Sequence, residues 1–276
     1  MNINCNGSLL DLSNPIVMGV INLNTDSFYE GSRISDTTLL LKKVEQMLKQ
    51  GAEIIDLGAM SSRPGAEIIS EEEEANRLFP FLEEILKAFP SIRLSVDTIR
   101  ASIAEGALQR GACIINDISG GSIDDQLIGI VSKYRAPYIL MHMQGVPETM
   151  QDDPNYQNVT LEVLDFFIQK VAHIHKMGVN DIILDPGFGF GKTLEHNYKL
   201  LQQLSAFKIL DLPILVGISR KSMITKALNI TTKEALNGTT AAHMLALNNG
   251  AKILRAHDVK EAKEAITIYE YYKSGF

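Results

Sequence analysis

The sequence predicts an α/β protein, a single (β/α)8 TIM barrel. Eight short runs rich in Ile, Val and Leu recur along the 276 residues and alternate with longer amphipathic segments. Most of these runs do not alternate with polar residues, which is typical of strands buried on both faces of a parallel sheet. Eight strand–helix units close a barrel, and a barrel of this kind takes about 250 residues. One such domain therefore accounts for most of the chain.

The predicted strands follow one another at intervals that leave room for a helix after each. They are residues 16–21, 53–57, 93–96, 112–116, 137–141, 181–184, 213–217 and 252–255. The clearest helical patterns are residues 38–50 and 71–89. Gly51 is a stop signal for the first helix, and a run of Glu favours the start of the second because it complements the helix dipole.

Residues 1–14 are predicted to be a hairpin that precedes the barrel of residues 15–276. Asn6-Gly7 lies between two short apolar stretches, and Asn-Gly is a strong hairpin signal. We expect this hairpin to plug the N-terminal end of the barrel. An open doubly wound sheet is the alternative fold. It would usually carry a Gly-rich dinucleotide motif after the first strand, where this chain has Asn22-Leu23-Asn24-Thr25-Asp26 instead.

Composition narrows the function classes. The 26 basic and 33 acidic residues give a net charge of −7, which argues against non-specific binding to nucleic acid. The two cysteines, Cys5 and Cys113, do not suggest a zinc site or a disulfide framework. The N-terminal segment does not resemble a secretory signal, and no apolar stretch approaches the roughly 18 residues of a membrane span. We expect a cytoplasmic protein, and a local basic pocket for a small anion is compatible with this composition.

Polar and ionisable side chains follow the predicted strands, at the barrel end where enzymes of this fold place their chemistry. In chain order they are Asn22, Asp26, Asp56, Asp97, Asn116, Asp117, His142, Asp185, Ser219, Lys221, Ser222, Arg255 and His257. Asp97, Asn116 and Asp185 could pair with the N–H groups of a nitrogen-rich heterocycle, because a carboxylate accepts bidentately. Positive charge for a phosphate group is available from Arg63, Lys221, Arg255 and His257.

Several of these residues also have a purely structural interpretation. Asp56, Thr98 and Asp117 are expected to have a structural role of the kind in which a residue at a strand end caps the next helix. His142 is expected to be a packed residue, and His173 and His175 are expected on a helix surface. The run Glu71–Glu74 is interpreted as a solvated helix start. A functional site is favoured because polar or ionisable groups occur together at six or seven strand ends, which helix capping alone would not explain.

Residues 185–192 read DPGFGFGK, which lacks the spacing of a phosphate-binding P-loop. The glycines are expected to let a loop fold tightly beneath a ligand, because glycine adopts backbone conformations that other residues avoid. Phe188 or Phe190 would then provide an apolar wall.

The ordered set of strand-end motifs resembles the dihydropteroate synthases over nearly the whole chain. The matching segments are MGVINLNTDSF (18–28), DLGAMSSRPGA (56–66), SVDT (95–98), INDISG (115–120), LMHMQG (140–145), DPGFGFGK (185–192), SRKSM (219–223) and RAHDV (255–259). These enzymes join a pterin pyrophosphate to p-aminobenzoate. The resemblance therefore implies a transferase of folate biosynthesis that requires Mg²⁺ and forms a homodimer.

The resemblance also implies a role for each matching position. The implied pterin site comprises Asp97, Asn116, Met141, Asp185, Lys221 and Arg255. The implied p-aminobenzoate site comprises Ser62, Arg63, Pro64, Phe190, Lys221 and Ser222. The implied pyrophosphate site comprises Asn22, Arg63, Arg255 and His257, with Asn22 also a ligand of Mg²⁺. The implied catalytic residues are Asp26, Asp97, Asp185, Lys221, Arg255 and His257.

Two loops depart from the family pattern. The first usually reads NVTPDSF, but this chain has Asn24 and Thr25 in place of Thr and Pro. The second usually reads GGESTRPG, where this chain has Ala59, Met60 and Ser62 instead of Gly, Glu and Thr. These changes touch the p-aminobenzoate side, so we expect ordinary pterin recognition and a shifted response to sulfonamides. Two alternatives remain at this point, a methyltetrahydrofolate methyltransferase and a pterin-binding paralogue without activity.

Overall fold

The computed structural model describes residues 1–23, 33–60, 69–145 and 149–275. The chain begins with an antiparallel hairpin of β1 (Asn2–Cys5) and β2 (Ser8–Asp11). Asn6 and Gly7 form its turn with φ values of 51° and 83°. Both are positive, as a two-residue hairpin turn of this kind requires. The predicted turn at this dipeptide is confirmed.

Eight parallel strands follow. They are β3 (Ile16–Asn22), β4 (Ala52–Gly58), β5 (Leu94–Asp97), β6 (Ile114–Asp117), β7 (Tyr138–Met141), β8 (Ile182–Asp185), β9 (Leu215–Val216) and β10 (Ile253–Ala256). Their order is β8-β7-β6-β5-β4-β3-β10-β9, and a parallel bridge between Leu184 and Ile214 links the two ends of the sheet. The predicted (β/α)8 barrel is confirmed, and the open doubly wound alternative is wrong.

Helices lie between the strands. Within the described ranges they are α1 (Arg33–Lys49), α2 (Glu71–Ala88), α3 (Ala101–Arg110), α4 (Leu127–Tyr134), α5 (Val159–Lys176), α6 (Leu194–Gln202), α7 (Ser222–Leu228), α8 (Leu236–Asn248) and α9 (Val259–Ser274). Two 3₁₀ turns, Leu204–Leu210 and Thr232–Glu234, supplement them. None of the described helices combines the length and apolar character that crossing a membrane requires.

The helix α2 illustrates how the sequence sets an element. The Ser70 hydroxyl accepts a hydrogen bond from the backbone N–H of Glu73 and so caps the first turn. Leu78, Leu82 and Ile85 recur at helical spacing and are fully buried against the barrel. The predicted helix of residues 71–89 is confirmed to within one residue.

The barrel interior is closed at its N-terminal end by an apolar layer. One buried cluster joins inward residues of seven barrel strands to four side chains of residues 1–14. Its main members are Ile3, Cys5, Leu10, Leu12, Ile16, Met18, Ile54, Ile114, Ile139, Ile183, Leu215 and Ile253. The hairpin therefore plugs the N-terminal end of the barrel, as expected.

Strand periodicity then decides which residues face the C-terminal end. Side chains two residues apart lie on the same face of a strand. Two positions beyond Ile54, Ile114, Ile139, Ile183 and Ile253 lie, respectively, the strand-end residues Asp56, Asn116, Met141, Asp185 and Arg255. The apolar cluster at the N-terminal end thus fixes the direction of the side chains at the C-terminal end. The polar ones among them, together with Asp97 of β5, are hereafter called the polar layer.

Candidate active site

Arg255 lies at the centre of the polar layer. Its Nε donates to Asp56 Oδ2 at 2.7 Å, and its Nη2 lies 3.0 Å from Asp97 Oδ2. Asn116 Nδ2 donates to the same oxygen of Asp56 at 3.1 Å. Asp56 is fully buried, so a single guanidinium joins the ends of β4, β5 and β10 across the barrel. These contacts hold Asp97 and Asn116 beside each other at the C-terminal end of the barrel.

Two carboxyl groups of this layer carry perturbed acidities. Burial raises the pKa of Asp97 to about 7, against the lowering effect of Arg255 and with a further contribution from Asp56. Burial likewise raises the pKa of Asp185, while Lys221 and the backbone N–H of Gly187 act in the opposite direction. Buried carboxylates of this kind gain strongly from any additional N–H donor. Both are suited to bind a ligand that presents N–H groups.

Lys221 faces the same space from the loop after β9. Its Nζ donates to the carbonyl oxygen of Phe188 at 2.6 Å and lies 4.5 Å from the centre of the Phe190 ring. Burial lowers its pKa to about 8, in spite of the nearby carboxylate of Asp185. Gly189 has a φ of +81°, and a Cβ there would lie 3.3 Å from Lys221 Cδ. The glycine therefore leaves the path for the lysine chain.

An apolar wall borders these charged groups. It is a buried cluster of side chains from the loops and strand ends of the C-terminal face, namely Met60, Ile99, Ile118, Met141, Met150 and Phe190. A pocket with apolar walls and a few converging polar groups is the usual form of a small-molecule site. The arrangement suits a planar ring whose edge is polar and whose faces are apolar.

The outer rim carries His257 and Ser222. The backbone N–H of His257 donates to Ser219 Oγ at 3.2 Å, and its Nδ1 lies 3.1 Å from the same hydroxyl. Ser222 is exposed at the first residue of α7. Arg220 lies between Ser219 and Ser222 in sequence. Its Nε and Nη2 donate to the Asp258 carboxylate at 2.7 and 2.9 Å, which stabilises the loop after β9.

Comparison with known proteins identifies a family that matches nearly the whole chain. A family model described as "Pterin binding enzyme" matches residues 18–257. The dihydropteroate synthase of Escherichia coli K12 is 43% identical over 266 residues, covering 96% of this chain and 94% of that protein. That of Haemophilus influenzae is 39% identical, with 98% of each chain covered. The chain belongs to the dihydropteroate synthase family.

Solved structures of dihydropteroate synthases agree with this assignment. The Yersinia pestis enzyme, in a complex with a sulfonamide drug, superimposes with a TM-score of 0.93 at 40% identity, covering 99% of this chain and 100% of that one. The Thermus thermophilus enzyme in complex with 4-aminobenzoate gives 0.87 at 35% identity, with 98% and 99% covered. The chain is therefore a transferase with the pterin-binding barrel of this family.

The structure brings together most of the residues predicted for the dihydropteroate synthase site. Those that lie in or beside the polar layer at the C-terminal end of the barrel are Asp97, Asn116, Met141, Asp185, Phe190, Lys221, Arg255 and, at the outer edge, Asn22, Ser222 and His257. Four others, Asp26, Ser62, Arg63 and Pro64, lie outside the described residues, as do Asn24 and Thr25.

Three structural interpretations from the sequence hold. Asp117 accepts from the backbone of Ser119 and Gly121 and from the Tyr138 hydroxyl, so its role is structural, although it fixes a turn and does not cap a helix. His142 is buried, and its ring packs edge-on against Phe166. The helical side chains His173 and His175 are both exposed.

Two other interpretations are wrong. Asp56 caps no helix, because both of its described side-chain partners, Arg255 and Asn116, belong to the site. Glu74 is not solvated like Glu71, Glu72 and Glu73. It is fully buried, forms an ion pair with Arg100 and accepts from the Thr98 hydroxyl at 2.7 Å. Helical periodicity contains a signal for this, since Glu74 is four residues before the buried Leu78.

Near the end of β3 lie an amide and a carboxylate, which are oxygen donors of the class that Mg²⁺ takes. Asn22 is exposed, and its Oδ1 lies 3.8 Å from where a Cβ on Gly58 would be, while the Asp97 carboxyl carbon lies 3.7 Å from the same point. The bare glycine thus lets an amide and a carboxylate converge. In the described ranges no three His, Cys, Asp or Glu side chains cluster as metal ligands. A site with few protein ligands is compatible with Mg²⁺, because this ion usually keeps several waters and binds substrate phosphates.

Proposed function

We propose that the chain condenses 6-hydroxymethyl-7,8-dihydropterin pyrophosphate with p-aminobenzoate, which yields 7,8-dihydropteroate and pyrophosphate. The observation that carries this proposal is the polar layer at the barrel mouth. Two buried carboxyl groups and an amide face the same space as Lys221 and Arg255. The carboxyl groups and the amide suit the N–H edge of a pterin, and the side chains of Lys221 and Arg255 suit an anionic leaving group.

The pterin would lie with its polar edge toward the barrel interior. Asp97 and Asp185 would accept from ring N–H groups and the exocyclic amine, and Asn116 would complete the edge. Met141 and Arg255 would contact the two faces of the ring. This orientation leaves the methylene carbon of the substrate pointing toward the rim.

The reaction then needs no covalent enzyme intermediate. The bond between the methylene carbon and the pyrophosphate oxygen breaks, and a bond to the aryl amine nitrogen forms. The pyrophosphate leaves with the electron pair of the broken bond, and the amine nitrogen releases one of its protons to the leaving pyrophosphate or to solvent. Asp97 and Asp185 stabilise the positive charge that spreads from the methylene carbon into the ring, because fixed charges act strongly in a site that excludes water. Lys221 would contact both substrates, and Asp26 of the first loop is the remaining catalytic residue that the family resemblance implies.

The leaving pyrophosphate would be held at the rim by Asn22, Arg63, Arg255 and His257. When bound at Asn22, Mg²⁺ would neutralise part of the phosphate charge as the leaving group departs. Arg255 would have a structural role as well as a binding role, since its guanidinium also forms ion pairs with Asp56 and Asp97. Loss of this residue should therefore affect both pterin and pyrophosphate.

The p-aminobenzoate site would combine Phe190, Lys221 and Ser222 with Ser62, Arg63 and Pro64 of the second loop. Relatives from Thermus thermophilus and Xanthomonas albilineans have been solved with 4-aminobenzoate, which supports this substrate for the chain. Because Met60 and Ser62 depart from the family pattern, we expect a shifted sulfonamide inhibition curve. A curve that coincides with that of a relative carrying the usual loops would contradict this expectation.

We infer a cytoplasmic homodimer. The support for a dimer is a pair of exposed apolar side chains on adjacent helices, which lie among polar ones: Tyr198 of α6 is 38% exposed and Leu245 of α8 is 54% exposed. Burial of these side chains against a second copy would favour association. Analytical ultracentrifugation should show a dimer that Leu245→Glu weakens, and a monomer at all concentrations would contradict it.

The direct test of the proposed function is a product assay. Purified protein is mixed with pterin pyrophosphate, p-aminobenzoate and Mg²⁺, and dihydropteroate is measured by chromatography. We expect product, and none when either substrate is left out. Methyl transfer from methyltetrahydrofolate would instead favour the methyltransferase alternative. Tight pterin binding without product would favour a non-catalytic paralogue.

A further inference from the structure

Lys192 is a buried lysine that the proposed reaction does not use. It ends the DPGFGFGK segment after β8 and is 3% exposed. Its Nζ lies 3.0 Å from the carbonyl oxygens of both Gly187 and Phe190, and 3.0 Å from His142 Nδ1. An ammonium group has three N–H donors, so these three acceptors satisfy it fully. Without them its burial would be very costly.

The His142 ring is in the right state to accept. Burial, and next the charge of Lys192, lower the pKa of His142 to about 2, so the ring is neutral at ordinary pH. A neutral ring accepts at Nδ1 when Nε2 carries the proton. Lys192 therefore closes its own loop after β8 through the carbonyl groups of Gly187 and Phe190, and it ties this loop to the end of β7 through the His142 ring.

The two loops also approach each other closely along their backbones. Gly187 has a φ of +68°, and a Cβ there would lie 1.9 Å from the His142 carbonyl oxygen. A Cβ on Gly191 would lie 2.6 Å from the Gln144 carbonyl oxygen. The Tyr156 hydroxyl donates to the Gly191 carbonyl at 2.9 Å from outside. Lys192 completes this contact from the buried side.

The segment that Lys192 holds carries two supports of Lys221. Phe188, between Gly187 and Phe190, provides the carbonyl that accepts from Lys221 Nζ at 2.6 Å. Phe190 provides the ring that lies 4.5 Å below the same nitrogen. Any shift of this segment would therefore move the lysine that faces both proposed substrates.

Charge links Lys192 to the site as well. The titratable groups around it are His142 at the end of β7, Asp185 on β8, Lys221 after β9 and Tyr156, which contacts Gly191. Burial lowers the pKa of Lys192 to about 7, against the pull of Asp185. Below that pH the ammonium is charged, and it is one of the groups that lower the pKa of Asp185.

We propose that Lys192 is a positioning residue: it fixes the loop after β8 so that Phe190 and Lys221 are placed for the aryl amine substrate. This inference rests on the proposed function. It adds a residue that touches neither substrate and acts through two that do.

The test compares Lys192→Met with Lys176→Met, since Lys176 is exposed at the end of α5. In the full-length protein we expect Lys192→Met to raise the KM for p-aminobenzoate about tenfold or more, with pterin affinity at pH 8 changed less than about threefold. The acid limb of pterin binding, followed by fluorescence, should move to higher pH because the pKa of Asp185 rises. Lys176→Met should behave as the wild type.

A second pair of variants keeps the inference testable if Lys192→Met does not fold. His142→Asn retains an acceptor near the position of Nδ1, whereas His142→Leu removes it. We expect a raised KM for p-aminobenzoate in the Leu variant and a value near that of the wild type in the Asn variant.

Each contrary outcome has its own meaning. Equal KM values and equal pH profiles in Lys192→Met and the wild type would overturn the inference. So would a uniform loss of kcat, pterin affinity and stability without a pH shift, because a purely structural role predicts that result. Absence of product from the wild type would overturn the proposed function itself, and with it this inference.

Discussion

Asp97 shows at the residue scale how one carboxyl group serves function at the expense of stability. Burial raises its pKa to about 7 from an ordinary value of 3.8. The folded state thus retains a proton that the unfolded state has lost. The stability that this proton contributes is fully present below pH 3.8 and is lost as the pH rises through 7. Above pH 7 the fold carries a charged group that awaits a ligand.

We therefore predict that Asp97→Asn becomes more stable relative to the wild type as the pH rises from 5 to 8, while pterin binding is lost. The reason is that Asn does not ionise and Arg255 keeps its pairing with Asp56. Urea unfolding at both pH values measures the difference. Asp125→Asn, at an exposed position, is the control and should show no such trend. A difference independent of pH would contradict the assigned cause.

At the scale of elements, the contact between the β7 and β8 loops depends on Gly187. Its positive φ disfavours a side chain, and a Cβ would meet the His142 carbonyl oxygen at 1.9 Å. Since the backbone cannot yield as a flexible side chain would, the loop itself must shift. The loop also carries the supports of Lys221, so stability and function should fall together.

We predict that Gly187→Ala lowers the free energy of unfolding by about 2–4 kcal/mol and strongly reduces turnover. Gly129→Ala is a matched control, because Gly129 lies in α4 with no atom within 4 Å of a Cβ. That change should stabilise the protein by up to about 1 kcal/mol, since alanine favours the helix. Chemical denaturation measures both. Similar effects of the two variants would contradict the steric argument.

Elements were also what the sequence predicted best. The strand runs, the Asn6-Gly7 turn and the polar strand ends depend on local pattern, and local pattern is what the printed chain contains. The roles of Asp56 and Glu74 depend on partners 199 and 26 residues away, Arg255 and Arg100. No local pattern shows such partners. The inward direction of Asp56 was nevertheless accessible, because it stands two residues beyond Ile54 on the same strand face.

For the whole molecule, burial of a neutral histidine, His243, should contribute to the loss of stability in acid. His243 of α8 is 1% exposed, and burial lowers its pKa to about 4 from an ordinary value of 6.5. The folded state therefore binds a proton more weakly than the unfolded chain. The stability linked to its neutral form is present above pH 6.5 and is lost as the pH falls toward 4.

We predict that His243→Leu flattens the decline in unfolding free energy between pH 6.5 and 4. His173→Leu serves as a control, because His173 is exposed on α5. Thermal unfolding across this pH range measures the effect. If the slope of the His243 variant equals that of the wild type, other groups govern acid unfolding.

The central claim for the whole molecule is that the polar layer at the C-terminal end of the barrel performs the transfer. Lys221 tests it most directly, since it contacts the β8 loop and faces Asp185. The measurement is the steady-state rate of dihydropteroate formation by the wild type, Lys221→Ala and the exposed control Lys226→Ala. We predict a loss of at least about a hundredfold in Lys221→Ala and a rate within about twofold of the wild type in the control. Substantial turnover by Lys221→Ala would contradict the account.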